Sequence, residues 1–347
     1  MKKSLLHLSL LIFISALSLA QSRTPSQTSP QKFAVLGDFE LQSGEVIHDC
    51  RLGYRTFGHL NSDKSNAVLV AIWFGGNSEQ LAGAFGPGGM VDSSKYFVIT
   101  IDPLGNGVSS SPSNSKLQPH MKFPQFTMAD MVSSEHQLLT QVLHIHHLKA
   151  VTGASMGGMQ TFQWMVSYPG FMDKAIPVVG SPRLGSYDLV LWHLQNDVVM
   201  NDPAWKNGDY TENPARLALG EIGAITLRTP HNFNHEHSRE QVPDLVHHYE
   251  IDPTMDANDH IRTTQAVMSL DVSAPFGGFM ERAAATVKAK VLIIVSLEDH
   301  VVSPGPALEF AGLIHAPTVM LGSDCGHQSS ACEGAQVSTA VAQFLAQ

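Results

Sequence analysis

Charge is scarce in this chain of 347 residues: Asp, Glu, Lys and Arg together make up 15% of it. A composition so poor in charge argues against a disordered or fully solvated chain and for a large buried core. Basic residues are scarcer still, 21 Lys and Arg against 31 Asp and Glu for a net charge of −10, and they are scattered. A nucleic-acid partner would need them clustered, so none is expected. Cysteine is nearly absent, with Cys50, Cys325 and Cys332 the only three. That excludes a disulfide-built scaffold. Two readings stay open for these thiols: all three are unpaired, or Cys325 and Cys332 are bridged. Long apolar runs are missing beyond the first twenty residues, so no stable membrane anchor is expected in the rest of the chain. No internal repeat is present.

The start of the chain reads as a processing signal. Lys2 and Lys3 precede an apolar stretch over 5–19, and Ser18 and Ala20 supply the small residues that a signal peptidase requires. Residues 1–20 are therefore expected to be a signal peptide that directs export to the periplasm or beyond; an uncleaved anchor is the rival reading, and the run is short for a bilayer span. Residues 21–32, rich in Ser, Thr, Gln and Pro, read as a flexible linker.

From residue 33 onward the chain has the rhythm of a parallel sheet. Residues 33–54 alternate and turn like a β-meander, and short apolar runs at 67–72, 96–101, 150–152, 175–179, 291–295 and 318–321 predict buried strands. Helix-length patterns at 127–143 and 306–314 lie between them. Strands that are apolar throughout, separated by helices, predict an α/β fold: a mostly parallel sheet with helices on both faces. Residues 181–279 break the rhythm, having helical patterns and no convincing strand, and predict a helical lid inserted into a core made of 33–180 and 280–347.

The chemistry concentrates at Gly153-Ala154-Ser155-Met156-Gly157. A serine between small residues, after an apolar run and before a helical pattern, predicts a nucleophile on a sharp strand-to-helix turn. Acyl transfer by serine also needs a base, an acid that orients it and N–H donors for the oxyanion. Asp299, past the run at 291–295, and His327, past the run at 318–321, supply the acid and base in the order Ser, Asp, His. A helix cap or turn residue is the rival reading of Asp299, and Glu298 and Asp324 are competing acids. Phe74, in the Trp73-Phe74-Gly75-Gly76 loop, and Met156, after the nucleophile, are the expected oxyanion donors; an ordinary tight turn is the other reading of Gly75-Gly76.

Other motifs do not hold up. Gly105-Asn106-Gly107 lacks the third glycine and the immediate helix of a dinucleotide loop. His231, His235 and His237, or His144, His146 and His147, lack partners at metal-ligand spacing. Asp252, Asp256 and Asp259 do not follow the calcium-loop pattern. Neither a metal nor an organic cofactor is expected.

Together these residues resemble the homoserine O-acetyltransferase family of α/β-hydrolases, over most of the chain after residue 32. The resemblance rests on Leu52-Gly53-Tyr54-Arg55-Thr56-Phe57-Gly58, on the extended signature Gly153-Ala154-Ser155-Met156-Gly157-Gly158-Met159-Gln160, on Asp202-Pro203-Ala204-Trp205, on Asp256-Ala257-Asn258 and on Asp324-Cys325-Gly326-His327. It implies an α/β-hydrolase fold, an acyl-serine on Ser155, His327 as base, Asp299 as its orienter, Arg228 facing a substrate carboxylate, and a homodimer through the lid. Two departures point away from the family's substrate. Ile72-Trp73-Phe74-Gly75-Gly76 replaces the usual His-Ala-Leu-Thr-Gly, and Gln328 replaces the Asp that serves the substrate amine. Export would also separate the enzyme from acetyl-CoA. The expectation is a serine acyl-transfer enzyme acting on a small-molecule acyl donor, with hydrolysis of a small ester or thioester favoured over transfer from an acyl-CoA to homoserine or another alcohol. An inactive binding protein on the same fold is the alternative of a different class.

Overall fold

The computed structural model describes residues 29–251 and 255–347. The signal peptide expected at 1–20 lies outside the described residues, as do residues 21–28 of the expected linker.

Among the described residues nine strands form one sheet: β1 (Lys32–Glu40), β2 (Val46–Phe57), β3 (Ala67–Ala71), β4 (Phe97–Ile101), β5 (Leu148–Ala154), β6 (Met172–Val178), β7 (Lys290–Val291), β8 (Ile293–Ser296) and β9 (Thr318–Leu321). Their order is β1-β2-β4-β3-β5-β6-β8-β9, with β7 paired to β6. The β1–β2 and β2–β4 pairs are antiparallel and every other pair is parallel. All five residues of β3 are buried, as a central strand covered on both faces requires. The run at 291–295, expected as one strand, is divided at Leu292. There the pairing changes partner: Leu292 N–H donates to Ala175 on β6, and Ile293 N–H to Pro317 just before β9.

The helices are α1 (Met128–Gln137), α2 (Met156–Ser167), α3 (Ser186–Met200), α4 (Arg216–Thr226), α5 (Pro230–Glu236), α6 (Val242–Ile251), α7 (Ala257–Met268), α8 (Met280–Ala284), α9 (Gly305–Leu313), α10 (Ser329–Cys332) and α11 (Gly334–Ala346). Helix α1 starts in a capping box, in which Thr127 Oγ1 accepts from Asp130 N–H and the Asp130 carboxylate accepts from Thr127 N–H. The helix expected over 127–143 changes character after Gln137 and ends in a π-helical turn over Leu138–Val142. Thr140 lies in that turn and donates to the His136 carbonyl, a side-chain competitor for the helical ladder. Helix α2 is buried from Met156 to Val166, because it crosses the centre of the sheet.

Helices α3 to α7 make up the excursion between β6 and β7. Arg183 and Asp271 pair as an isolated antiparallel bridge, and Val272 N–H donates to the Pro182 carbonyl. The excursion thus leaves and re-enters the core at one place. Helix α7 bridges two buried clusters: Ala257 and Ile261 pack with Val199, while Ala266 and Val267 pack in the main core.

Candidate active site

Ser155 sits between the end of β5 and the start of α2, at φ 57° and ψ −121°. A non-glycine residue held there carries backbone strain that the surroundings must offset. Its N–H donates to the Val178 carbonyl of β6 at 2.9 Å. The flanking glycines are a matter of backbone contact. A β-carbon on Gly157 would lie 2.4 Å from the Ala71 carbonyl oxygen, and one on Gly153 2.7 Å from that same oxygen. Gly158 packs against Val178 and Gly180 just as closely. The elbow therefore meets the ends of β3 and β6 at backbone distance.

His327 lies on a short 3-10 turn after β9, and Asp299 in the loop after β8. Both are buried. His327 Nε2 is 2.7 Å from Ser155 Oγ, and His327 Nδ1 is 2.7 Å from Asp299 Oδ2. Asp299 Oδ1 accepts from the N–H groups of Val301 and Val302, each at 2.8 Å. The carboxylate is thus fixed from both sides, and its natural partner is an imidazole that carries its proton on Nδ1. That leaves Nε2 free to accept the serine proton. Of the alternative acids, Glu298 is exposed. Asp324 is occupied by His231 at 2.5 Å and by Asn232, with the His231 hydrogen bond holding its carboxyl below the usual carboxylate range.

The base loop is anchored on both flanks. Gly326 adopts φ +63°, and its carbonyl accepts from Ser296 Oγ at 2.7 Å. Cys325 and Cys332 are joined by a disulfide, while Cys50 is free and buried. That decides between the two readings of the thiols.

Phe74 lies in the loop after β3, where Gly76 N–H closes a tight turn on the Trp73 carbonyl at 3.0 Å. Met156 opens α2, so its N–H is one of the orphan donors at a helix start. Gln160 of α2 ties the two together by donating to the Ile72 carbonyl at 3.0 Å. Sequence reasoning missed what secures this loop. Asp102, fully buried at the end of β4, accepts from Ser78 N–H at 2.7 Å and Ser78 Oγ at 2.8 Å, and Asn106 donates to the Gly76 carbonyl. The signal was present, since an acid directly follows a buried strand, but residues 102–107 invite a test for nucleotide binding and nothing else. It also missed the rings on the Phe74 side chain, Trp192 and His260, whose centroids lie 5.1 and 5.2 Å away. Burial pulls the His260 imidazole down to about 4, so it is neutral near pH 7.

Gln328 belongs to the turn that carries His327, and Arg228 stands beside that turn. Gln328 N–H donates to the Leu227 carbonyl, and the Arg228 guanidinium is ion-paired with Glu236. Among the described residues, no three His, Cys, Asp or Glu side chains come together as a metal-sized group.

Residues 72–330 match the family described by the alpha/beta hydrolase fold. The chain belongs to that family. An ethyl acetate hydrolase of Pseudomonas veronii is 31% identical over 291 residues, covering 80% of this chain and 82% of that protein. A homoserine O-acetyltransferase of Methanohalophilus mahii is 29% identical, covering 88% and 70%. The solved structure of an acetylester hydrolase from Corynebacterium glutamicum superposes with a TM-score of 0.86 at 29% identity, covering 92% of this chain and 96% of that one. Within the α/β-hydrolases the chain is thus homoserine O-acetyltransferase-like and is also similar to esterases. Ester hydrolysis and acyl transfer are the chemistries of these relatives, as expected of serine-nucleophile enzymes.

Proposed function

We propose that this protein is a serine esterase that hydrolyses small acyl esters, acetyl esters foremost. The observation that carries the proposal is the hydrogen-bonded line from Asp299 through His327 to Ser155, with 2.7 Å at each step. His327 Nε2 takes the hydroxyl proton as Ser155 Oγ attacks the ester carbonyl. The N–H groups of Phe74 and Met156 hold the oxyanion. His327 then returns the proton to the departing alcohol, leaving an acyl-serine. Water, deprotonated by the same imidazole, attacks the acyl-serine and releases the acid.

The neighbourhood of the base supports water over an amino-acid acceptor. Gln328 offers no charge to an ammonium group, and the Arg228 charge is taken by Glu236. The similarity to an ethyl acetate hydrolase and to an acetylester hydrolase supports the same reading. Export from the cytoplasm is part of it: the signal-like start of the sequence and a disulfide beside the base both suit an oxidising compartment. Acyl transfer to an alcohol is the second reading, motivated by the homoserine O-acetyltransferase relative.

Ser155→Ala should lower the turnover of p-nitrophenyl acetate by several orders of magnitude, roughly 10⁴-fold or more. Unchanged turnover in that variant would refute the assignment. Adding homoserine or butanol to the wild-type assay separates the two readings: an acylated alcohol as the main product selects transfer, and free acetate selects hydrolysis.

A further inference from the structure

The segment just before β1 is tied to the loop that carries Phe74. Gln31, half-buried, donates from Nε2 to Asp102 Oδ2 at 2.9 Å, and its Oε1 accepts from Ser78 Oγ at 3.1 Å. Ser78 Oγ is also 2.8 Å from Asp102 Oδ2, so glutamine, serine and carboxylate form one closed network. The backbone makes room for it: a β-carbon on Gly53 of β2 would lie 2.7 Å from Gln31 Nε2 and 2.8 Å from Asp102 Oδ2. A second link runs through Arg55. Its guanidinium donates to the Ser29 carbonyl and pairs at 3.3 Å with Glu79, the residue after Ser78. Thr56 N–H donates to Ser29 Oγ at 3.3 Å. Pro30 stands between Ser29 and Gln31, and its fixed φ lowers the entropy lost in holding both.

Resting on the esterase reading, in which Phe74 is an oxyanion donor, we propose that Ser29–Gln31 straps the oxyanion loop in place and that Gln31 is a positioning residue for the Phe74 N–H. Asp102 is fully buried, and the donors to its carboxylate are neutral: Ser78 N–H, Ser78 Oγ, Asn106 Nδ2 and Gln31 Nε2. A buried carboxylate held by neutral donors relies on each of them, and the loss of one is felt by the rest. The Ser78 end of the loop is therefore only as fixed as Asp102. Its other end is fixed at the nucleophile: Ala71 pairs with Gly153 in the β3–β5 ladder, and Gln160 of α2 donates to the Ile72 carbonyl. Phe74 lies between these two anchors. An oxyanion donor works only at hydrogen-bond distance from the developing charge, so slack at Ser78 weakens transition-state binding more than substrate binding.

In the full chain, Gln31→Met keeps the length of the side chain and removes its amide. The kcat for p-nitrophenyl acetate, per active site titrated to completion with a fluorophosphonate, should fall about tenfold with KM within about twofold, a part of the roughly 10²- to 10³-fold that loss of a whole oxyanion donor costs. A trifluoromethyl ketone reads the same hole without turnover. Ser155 Oγ adds to its carbonyl carbon, the hydroxyl proton passes to His327, and the carbonyl oxygen becomes the oxyanion. Its Ki should rise by the factor by which kcat/KM falls. Unfolding of a fraction of the protein would lower the number of titrated sites and leave both per-site values at the wild-type level. Wild-type kcat and Ki per site in Gln31→Met overturn the positioning role. Hydrogen exchange tests the strap without chemistry: the Ser78 amide, bonded to Asp102, should exchange at least roughly fivefold faster in Gln31→Met than in the wild type. Unchanged exchange overturns the strap. A wild type that neither turns over esters nor binds the ketone sinks the esterase reading, and the exchange of Ser78 then still decides the strap.

Discussion

At the residue scale, the site depends on which acid reaches the imidazole. Three candidates, Glu298, Asp299 and Asp324, stand near the right strands in sequence, and spacing cannot rank them. Contact in space does: Asp299 Oδ2 is 2.7 Å from His327 Nδ1, whereas Asp324 is held by His231 and Asn232. Asp299→Asn tests the orienting role. The amide oxygen can still accept from Val301 and Val302, which turns the amide NH₂ toward His327 Nδ1. The imidazole proton must then move to Nε2, where it faces Ser155 and blocks base catalysis. The kcat for acetyl esters should fall by about 10³- to 10⁴-fold at neutral pH, with KM changed little. A loss below tenfold would show that Asp299 does not set the tautomer. Ser155 itself was legible from its five-residue motif, because backbone crowding restricts the flanking positions to glycine. The resemblance gives Arg228 an expected role toward a substrate carboxylate; its ion pair with Glu236 was not legible, since Glu236 lies eight residues on and nothing in the local pattern links the two.

At the element scale, the strands were readable because β3, β5, β6 and β8 each carry a short apolar run, and a covered parallel sheet buries such runs. The break at Leu292 and the π-helical turn after Gln137 were not readable. One depends on a change of strand partner and the other on a side chain competing for the helix ladder, and both are tertiary or conformational choices. The loop that carries His327, the proposed base, is the element on which the proposed chemistry depends most. Several bonds dock it on the excursion: Thr229 Oγ1 donates to the Asp324 carbonyl at 2.6 Å, and Asn232 Nδ2 reaches Asp324 and Cys325 Sγ. The Cys325–Cys332 disulfide closes the segment that carries His327. Opening it should free that segment in the unfolded chain and loosen it in the folded one. Cys325→Ser/Cys332→Ser should lose about 2 kcal/mol of stability, given the short loop closed, and show a lower kcat. A reductant should lower the Tm of the wild type and leave that of the double variant unchanged. If reductant and substitution both leave Tm and kcat unaltered, the bond has no positioning role.

At the scale of the whole molecule, a chain poor in charge still buries several ionisable groups, and each one weighs on stability. Glu135, on α1 against the nucleophile helix, is fully buried; its Oε2 accepts from Trp164 Nε1 at 2.8 Å, and Oε1 has no partner among the described residues. Burial pushes its carboxyl up to about 8 from an ordinary 4.5. His260 is displaced the other way, down to about 4 from 6.5, also by burial. The two produce opposite slopes. Between pH 4.5 and 8 the folded chain keeps the Glu135 proton that the unfolded chain releases, so this contribution to stability is complete below pH 4.5 and is lost as pH rises toward 8. Between pH 6.5 and 4 the unfolded chain binds a proton at His260 that the folded chain refuses, so that contribution is lost as pH falls. Glu135→Gln separates them. The amide keeps an acceptor for Trp164 and has no proton to lose, so the variant should match the wild type near pH 4.5 and exceed it in Tm by on the order of a few degrees at pH 8 to 9. Its remaining acid-side slope should become shallower when His260→Phe is added, because a ring of similar shape carries no titrating group, and His136, also held below its ordinary value by burial, keeps part of the slope. Parallel Tm curves for wild type and Glu135→Gln across pH 4.5 to 9 would show that Glu135 ionises in the folded protein as readily as in the unfolded chain.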